Sequence, residues 1–361
     1  AGSVCRSADV KQMLHVSNGQ LGTVLFAIPI GQLLMMAFSG VLVSKFGSRK
    51  MILLAEVLYA FVLFCMRSCS TVFQLILSLV AFGMMANLMN IATNTQACLV
   101  EKMYGRNIMS SFHGLWSLGG FSGGIIGAVF ANTLLPIEAH FGAVLVMSLL
   151  IIAIGFRYLV DDATAKAEEE DVPKFSFKTI DPILFLLGLM GFAGMFCEGT
   201  VYDWSGVYFS SVVKPDEAFI RAGYVAGMGA MTLGRFLADG FVTKYGPARV
   251  LKVCGALILG GLWLAAALPY LIPATLGFLL VGFGISSSVP ICYSIAGKLG
   301  TIKASIAITI VSSISFFGFL VGPPVIGWLA EATGLRIAIS IAACLGLMIA
   351  FVAAKVGKRI S

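Results

Sequence analysis

Residues 43–54, VSKFGSRKMILL, and residues 242–253, VTKYGPARVLKV, carry one pattern twice: a basic residue, an aromatic residue, a glycine and then further basic residues, each time between two apolar stretches. The second copy follows the first by 199 residues, so that Gly47 corresponds to Gly246. A short charged loop that recurs at about half the chain length predicts two similar helical halves. Parallel repeats of this kind are an established architecture of secondary transporters.

The composition points to a membrane protein. Of the 361 residues, 59% are hydrophobic and only 11% are charged, whereas a soluble domain has roughly 45–50% apolar and about 25% charged residues. So few charges cannot cover a water-exposed surface of this size. This excludes a soluble enzyme, a disordered protein and a nucleic-acid-binding protein. The sequence therefore predicts an all-α, polytopic protein that lies in the lipid bilayer.

Eleven apolar stretches approach the length of about 20 residues that a membrane-spanning helix needs. They cover residues 19–44, 51–68, 72–98, 107–135, 139–160, 182–211, 219–243, 249–270, 273–298, 303–330 and 335–355. The only long polar stretch, DDATAKAEEEDVPKFSFKTID at 161–181, separates the first five from the last six. We therefore predict an N-terminal helical half at 1–160, a linker at 161–181 and a C-terminal helical half at 182–361.

The number of spans and the charges of the loops predict the topology. Shifting the span 182–211 back by the repeat distance places its counterpart almost wholly before residue 1. We therefore expect the first of twelve helices to be largely missing from this chain, apart from its outer end. Most lysines and arginines lie on the side that contains the linker and the C-terminus. The positive-inside rule places that side in the cytoplasm, in a bacterial inner membrane.

The repeated loop resembles the signature of the major facilitator superfamily, which runs Gly, three residues, Asp, Arg, aromatic, Gly and basic residues. Here Ser44 stands in place of the acid, and the second copy has Thr243 there, with Asp239 one helical turn away. The resemblance implies a conformational latch between the halves. The implied latch residues are Gly40, Lys45, Gly47, Arg49, Arg235, Asp239, Lys244, Gly246 and Arg249. Arg235 and Asp239 are spaced i, i+4, which favours a structural ion pair.

Further segments are similar to the bacterial YbjJ group of inner-membrane permeases. They are SFHGLWSLGGFSGG (111–124), EGTVYDW (198–204), GRFLADGFVTKYG (234–246) and FGFLVGPPVIGWLAEATGLR (317–336). The likeness covers nearly the whole chain. It implies a fold of two six-helix pseudo-repeats and the class of a transporter, without a substrate.

Glu198 is the first candidate for a functional residue, because ionisable groups inside a span are costly to bury and mark function by default. It lies near the middle of the span 182–211, hence near the bilayer midplane where transporter sites are found. Desolvation favours the neutral form of an isolated carboxylate, which suits proton coupling. The alternatives are a structural glutamate hydrogen-bonded to a neighbouring helix and a direct substrate contact.

Asn87, Asn90 and Asn94 form a polar stripe at i, i+3 and i+7 of the span 72–98. Carboxamides both donate and accept hydrogen bonds, which suits a polyhydroxylated solute. The alternative is hydrogen bonding between helices, which asparagines commonly provide in membranes. The resemblance places this stripe and Glu198 on helices that line the substrate cavity in the superfamily.

The other substrate-binding candidates are aromatic or ionisable side chains within spans. They are His113, Trp116, Tyr202, Asp203, Trp204 and Tyr293. A lone histidine such as His113 can equally be a packing residue, and Trp204 can equally be an interfacial anchor. Pro290 predicts an interruption of the span 273–298.

These features favour a secondary active transporter that works by alternating access. The expected partners are a small polar solute, with a sugar-like molecule favoured, and protons; the expected oligomeric state is a monomer. The alternative is a non-transporting sensor or scaffold on the same fold. The sequence contains neither GxxxxGK[ST] nor HExxH, and we expect no cofactor, no metal and no enzymatic activity.

Overall fold

The computed structural model describes residue 24 and residues 26–131, 137–161 and 180–360. Within these ranges the long elements are all α-helices. They are α1 (Ala27–Phe46), α2 (Ser48–Cys65), α3 (Val72–Tyr104), α4 (Met109–Ala131), α5 (Ile137–Gly155), α6 (Pro182–Tyr208), α7 (Ala222–Tyr245), α8 (Pro247–Ala267), α9 (Leu271–Ser286), α10 (Ser288–Lys298), α11 (Ala304–Thr333) and α12 (Leu335–Ile360).

Each of the eleven predicted spans overlaps these helices, with the span 273–298 divided between α9 and α10. The prediction of an all-α membrane protein is confirmed. Eight helical stretches of the described ranges are long and apolar enough to cross a membrane. The other predicted spans overlap α2, α4 and α7, and α2 and α7 each carry three charged residues. The expected end of the first helix and residues 162–179 of the linker lie outside the described residues.

The glycines of the two repeated loops make the same turn. Gly47 has φ of 91° and Gly246 has φ of 81°, a left-handed conformation that side chains with a Cβ disfavour. Each ends one helix and begins the next, and its N–H donates to a carbonyl four residues earlier, at 2.9 Å in both copies. The turn therefore needs glycine at both positions, which explains why both copies of the repeat carry one.

The interruption of the span 273–298 lies at Ser287, where α9 ends and α10 begins, with φ of −120° and ψ of −5°. Pro290 follows within the first turn of α10. A proline in a first turn removes an N–H that has no intrahelical acceptor, so it is tolerated there. The break therefore precedes the proline by three residues.

The described residues form two compact units. The first comprises the described parts of Ala1–Val100, Trp116–Val172 and Lys303–Thr309; the second comprises those of Glu101–Leu115, Pro173–Ile302 and Ile310–Ser361. An apolar cluster that includes Leu63, Leu79 and Phe82 forms a core of the first unit. In the second, α8 packs along α12 and α9, and α7 packs on α9. The division of the chain at a linker over 161–181 stays a prediction.

Helices α8 and α12 approach closely at a pair of glycines. A Cβ added to Gly255 would lie 2.4 Å from the carbonyl oxygen of Gly346, and a Cβ added to Gly346 would lie 2.4 Å from that of Gly255. Since both obstacles are backbone atoms, no side-chain movement can make room. Small residues at such a crossing are what allow two membrane helices to pack.

Gly346→Leu is therefore expected to lower the free energy of unfolding by at least about 1–3 kcal/mol, the usual cost of overpacking a filled interior. The measurement is the melting temperature of the purified protein in detergent. Gly260→Leu on α8 is the matched control, because nothing lies within 4 Å of an added Cβ there. Equal melting temperatures for the two variants would contradict the close approach.

Candidate functional site

Glu198 pairs with Arg235 inside the second unit. The guanidinium Nη2 of Arg235 lies 3.5 Å from the carboxylate Oε1 of Glu198, and the two side chains are only 10% and 14% exposed, respectively. The sequence predicted an isolated carboxylate, and that prediction was wrong because α7 supplies a countercharge. At 3.5 Å the pair is looser than a direct charge-assisted hydrogen bond of about 2.8 Å.

The pairing follows from the antiparallel arrangement of α6 and α7 along the chain. Glu198 lies ten residues before the end of α6 at Tyr208, and Arg235 lies thirteen residues after the start of α7 at Ala222. At 1.5 Å per residue, Glu198 is about 15 Å from that end of α6 and Arg235 about 20 Å from that start of α7. Glu198 and Arg235 thus lie at similar distances from the connection between two consecutive helices. Their pairing could have been predicted from the sequence on this basis.

Three aromatic side chains lie near this ion pair. Tyr202 and Tyr293 lie within electrostatic range of Glu198, and His113 lies within range of Arg235. The ring of His113 is 5.9 Å from that of Tyr293. The second unit therefore brings together three of the predicted substrate-binding residues, the predicted proton-coupling residue, and an arginine that the sequence assigned to the latch.

Tyr202 connects the ion pair to further aromatic groups. Its ring meets those of Tyr224 and Phe319 edge-on, at centroid distances of 5.9 Å and 6.4 Å. The hydroxyl of Tyr293 has the side chain of Ser312 as a hydrogen-bonding neighbour. Phenol and hydroxyl groups beside apolar rings suit a solute that has both polar and apolar faces.

The asparagine stripe lies in the first unit. Asn87 is buried, and its Oδ1 accepts a hydrogen bond of 2.7 Å from the Ser39 hydroxyl of α1. The Nδ2 of Asn94 donates to the backbone carbonyl of Asn90 at 2.9 Å and to its side-chain oxygen at 3.2 Å. These bonds favour the interpretation as hydrogen bonding within and between helices. A role of the stripe in substrate binding stays a prediction.

Trp204 packs on α11 beside its consecutive prolines. The indole Nε1–H donates a hydrogen bond of 3.1 Å to the carbonyl oxygen of Pro323, and the ring is 3.1 Å from the position of a Cβ on Gly327. This contact favours a packing role within the second unit. The neighbouring Asp203 is exposed, as is Trp116 at 60%, and their roles in substrate binding stay predictions.

Two carboxylates hold the N-terminus of α4, and we call this pair, Glu101 and Asp239, the α4 clamp. The N–H groups of residues 108 and 109 both donate to Oε2 of Glu101 at 2.8 Å. Those of residues 110 and 111 donate to the two oxygens of Asp239 at 3.0 Å and 2.7 Å. A helix start leaves four such groups without partners and carries the positive end of the helix dipole. The clamp therefore satisfies all four groups and places negative charge beside them.

Glu101 is not among the residues predicted from the sequence, because the predicted span ends at residue 98. Helix α3 in fact continues to Tyr104, and Glu101 within it is only 1% exposed. Its other oxygen accepts a hydrogen bond from the hydroxyl of Ser294 and pairs with the ammonium group of Lys298. A cavity of about 300 Å³, lined also by Asp239, lies beside these groups.

The first copy of the loop also meets the start of a helix. Gly40, which corresponds to Asp239 in the repeat, accepts a hydrogen bond of 3.1 Å through its carbonyl from the Ser305 hydroxyl at the start of α11. Arg49 stacks on the ring of Phe156 at 4.6 Å and donates to its carbonyl at 3.4 Å. The two copies thus contact helix starts with different chemistry, a backbone carbonyl in one and a carboxylate in the other.

The lysines of the two loops have equivalent positions. Lys45 lies 5.4 Å from the ring of Phe46, and Lys244 lies 5.1 Å from the ring of Tyr245. Arg249 is exposed at the start of α8. The predicted ion pair between Arg235 and Asp239 was wrong, because each residue has another partner. Arg235 pairs with Glu198, and Asp239 accepts hydrogen bonds from the start of α4. Their assignment, with that of the other motif residues, to a conformational latch stays a prediction.

The start of α6 is joined to the end of α12. Asp181 accepts a hydrogen bond of 2.9 Å from the N–H of Ile183, and its Oδ2 lies 2.6 Å from the Nη2 of Arg359. Burial alone would raise the pKa of Asp181, but the N–H of Ile183 and the charge of Arg359 together outweigh it, and the pKa lies below its ordinary value. The carboxylate therefore caps α6 in its charged form at neutral pH.

No group of three or more His, Cys, Asp or Glu side chains that could hold a metal ion occurs in the described ranges. Three of the charged groupings among the described residues are the Glu198–Arg235 pair, the α4 clamp with Lys298, and the Asp181–Arg359 pair. All three belong to the second unit. Such groups can hold and release protons or change partners between conformations.

Comparison with known proteins identifies the family. A model described as Major Facilitator Superfamily matches residues 7–301 of the chain. The chain belongs to this superfamily. A relative in Yersinia pestis, an uncharacterized MFS-type transporter, is 33% identical over 348 residues, which cover 95% of this chain and 88% of that protein. The chain is thus a multi-pass membrane protein of a transporter family and not an enzyme.

Solved structures of the superfamily share the fold. The transporter FucP in its outward conformation matches with a TM-score of 0.76 at 13% identity, covering 97% of this chain and 95% of that one. The proton:xylose symporter XylE, bound to 6-bromo-6-deoxy-D-glucose, matches with a TM-score of 0.68 at 14% identity, covering 100% and 92%. At such low identity, the likeness extends to the fold alone.

Proposed function

We propose that this major facilitator protein is a secondary active transporter that moves a small, sugar-like solute together with protons across a bacterial inner membrane. Transport proceeds by alternating access, with the C-terminus in the cytoplasm and the chain acting as a monomer. The observation that carries the proposal is the buried pair of Glu198 and Arg235 among aromatic side chains. Two proteins of the same fold support it: XylE is a proton:xylose symporter, and FucP is a transporter of the same superfamily.

Proton coupling uses the carboxylate of Glu198. In the deprotonated form its charge is balanced by Arg235, which offsets part of the cost of burying either group. Addition of a proton to Oε1 removes the attraction and releases Arg235 from the pair. Because desolvation disfavours an unpaired charge, protonation is then coupled to a new position of the arginine. A solute that supplies hydrogen-bond acceptors to Arg235 would stabilise the protonated form.

The solute is recognised by aromatic and hydrogen-bonding groups around the ion pair. Tyr202, Tyr293 and His113 place aromatic rings and polar atoms near Glu198 and Arg235. A sugar has apolar C–H faces that stack on such rings, and hydroxyls that both donate and accept hydrogen bonds. The asparagine stripe of α3 and the exposed Trp116 and Asp203 are further candidates.

The α4 clamp is proposed to act as the conformational latch. Its two carboxylates come from α3 and α7, which are assigned to different predicted halves of the chain. Breaking the hydrogen bonds of Asp239 leaves two N–H groups at the start of α4 without partners. Separation of α7 from α4 therefore costs the free energy of these two hydrogen bonds. The latch would thus favour the conformation in which these helices stay together.

The proposal is tested by thermal stabilisation of the purified complete protein against sugars, nucleosides and small carboxylates, at pH 6 and at pH 8. A ligand that binds only the folded state raises the melting temperature. We expect stabilisation by a sugar, larger at pH 6, because the binding-competent form carries a proton on Glu198. The stabilising solute is then followed in proteoliposomes with an imposed pH gradient.

Three results would contradict parts of this proposal. A nucleoside or carboxylate as the only stabilising class would replace the sugar. Equal stabilisation at pH 6 and pH 8 would remove proton coupling. Binding without uptake under any gradient would favour the alternative of a sensor or scaffold on the transporter fold.

A further inference from the structure

An apolar groove runs along the outside of α7 and α8. Both helices pack on α9, which forms the floor, and the groove between them has a volume of about 620 Å³. Its walls include Leu237 and Phe241 on α7 and Val253 on α8, which are 48%, 53% and 57% exposed. Helices α8 and α9 belong to stretches apolar enough to cross a membrane. A groove of this kind in a spanning segment faces hydrocarbon.

One end of the groove carries positive charge. Arg249 and Tyr245 line it beside the Gly246 turn, and the ammonium group of Lys244 lies 5.1 Å from the ring of Tyr245. Arg249 is exposed, and no side chain or carbonyl among the described residues accepts a hydrogen bond from its guanidinium. The other groove-lining residues are almost all apolar, so the charge is confined to the end where the helices leave the membrane.

We propose that this groove binds one acyl chain of an anionic phospholipid, whose phosphate is held by Arg249. The guanidinium offers paired donors that match phosphate oxygens, and Lys244 adds a second positive charge. Aromatic side chains near the ends of membrane-spanning helices contact lipid headgroups, and Tyr245 is the last residue of α7. A basic site between helices at the cytoplasmic surface is the expected recognition element for anionic lipid headgroups.

The length of the groove supports a lipid rather than a free phosphate. Arg249 and Leu257 are eight residues apart on α8 and both line it, which corresponds to about 12 Å along the helix. A free phosphate ion would contact only the charged end. A lipid fills both the charged end and the apolar length of the groove. Its acyl chain contacts the face of α7 that lines the groove from Gly234, the residue before Arg235, onward. The bound lipid therefore packs against the helix that carries both Arg235 and Asp239.

The test measures the binding of single lipids to the complete purified protein by native mass spectrometry. Phosphatidylglycerol and phosphatidylcholine of identical acyl chains are compared, with glycerol 3-phosphate as the headgroup without a chain. We expect phosphatidylglycerol to bind the wild type more tightly than phosphatidylcholine. Arg249→Ala should weaken phosphatidylglycerol binding about fivefold, equivalent to about 1 kcal/mol for one basic contact, with a smaller effect on phosphatidylcholine, whose choline cation offsets the charge of its phosphate.

Two variants separate the charged and apolar parts of the site. Lys252→Ala, an exposed lysine on the same helix that does not line the groove, should keep the preference for phosphatidylglycerol. Val253→Trp fills the groove and should weaken the binding of both lipids. Three results would overturn the proposal. The first is equal affinity of the wild type for the two lipids, and the second is an equal effect of Arg249→Ala and Lys252→Ala. The third is binding of glycerol 3-phosphate that is as tight as that of phosphatidylglycerol.

Discussion

Glu198→Gln is expected to abolish uphill accumulation of the solute driven by a proton gradient, while exchange of the solute at equal pH on both sides continues. Glutamine keeps the size and hydrogen-bonding capacity of the side chain but has no ionised form, so it cannot carry a proton across the cycle. The measurement compares counterflow with gradient-driven uptake in proteoliposomes. Retention of full pH-dependent accumulation would contradict the role of Glu198.

The same substitution is expected to destabilise the protein, which gives a second readout. Arg235 would keep its charge while losing its partner at 3.5 Å in a site where both groups are nearly buried. Removal of one member of a buried ion pair costs about 3–5 kcal/mol. Because both side chains remain slightly exposed, we expect the free energy of unfolding to fall by an amount near the lower end of this range. The measurement is thermal unfolding of the purified protein.

The double variant Glu198→Gln, Arg235→Gln separates stability from coupling. Removing both charges avoids an unpaired buried guanidinium, so the stability should largely recover. Gradient-driven uptake should remain absent, since the proton-carrying group is still missing. Glu331→Gln is the matched control, because it makes the same chemical change at an exposed carboxylate of α11. Its coupling and stability should both equal those of the wild type.

The helical architecture was predictable because the bilayer imposes one dominant rule. A spanning segment needs a continuous apolar stretch, and the loops between such segments concentrate charge. The correspondence of Gly47 with Gly246 was visible in the sequence as well, and in the structure both make the same left-handed turn. Composition, spacing and turn conformation depend on residues that are close together along the chain, so they can be predicted from the sequence alone.

The partners of the charged residues could not be predicted in the same way. Arg235 has a neighbour at i+4, Asp239, and sequence spacing alone favours that pair. The structure instead directs the two side chains to different neighbours, Glu198 of α6 and the start of α4. Glu101 was missed for a related reason, since its burial depends on α10 and α4 packing against it. Which face of a helix meets which neighbour is set by packing between segments remote in sequence.

Asp239→Ala is expected to accelerate hydrogen exchange at Ser110 and Ser111. Their N–H groups donate to the two carboxylate oxygens of Asp239 at 3.0 Å and 2.7 Å, and alanine leaves both without an acceptor. Loss of a side-chain cap costs about 1 kcal/mol, and loss of a negative charge at a helix start adds about 0.3–1 kcal/mol. Exchange at these two amides should therefore become about tenfold faster, as followed by residue-resolved mass spectrometry.

Glu101→Gln gives the complementary pattern and distinguishes local fraying from unfolding. It alters the acceptor of residues 108 and 109, so that exchange should rise first at those amides and less at Ser110 and Ser111. Asp216→Asn, an exposed loop carboxylate, should change neither pair. If Asp239→Ala raised exchange equally along the whole of α4, the carboxylate would support the fold in general. An increase confined to the first turn would instead support a latch, because α7 could then separate from α4 at the cost of two hydrogen bonds while the helix itself stays intact.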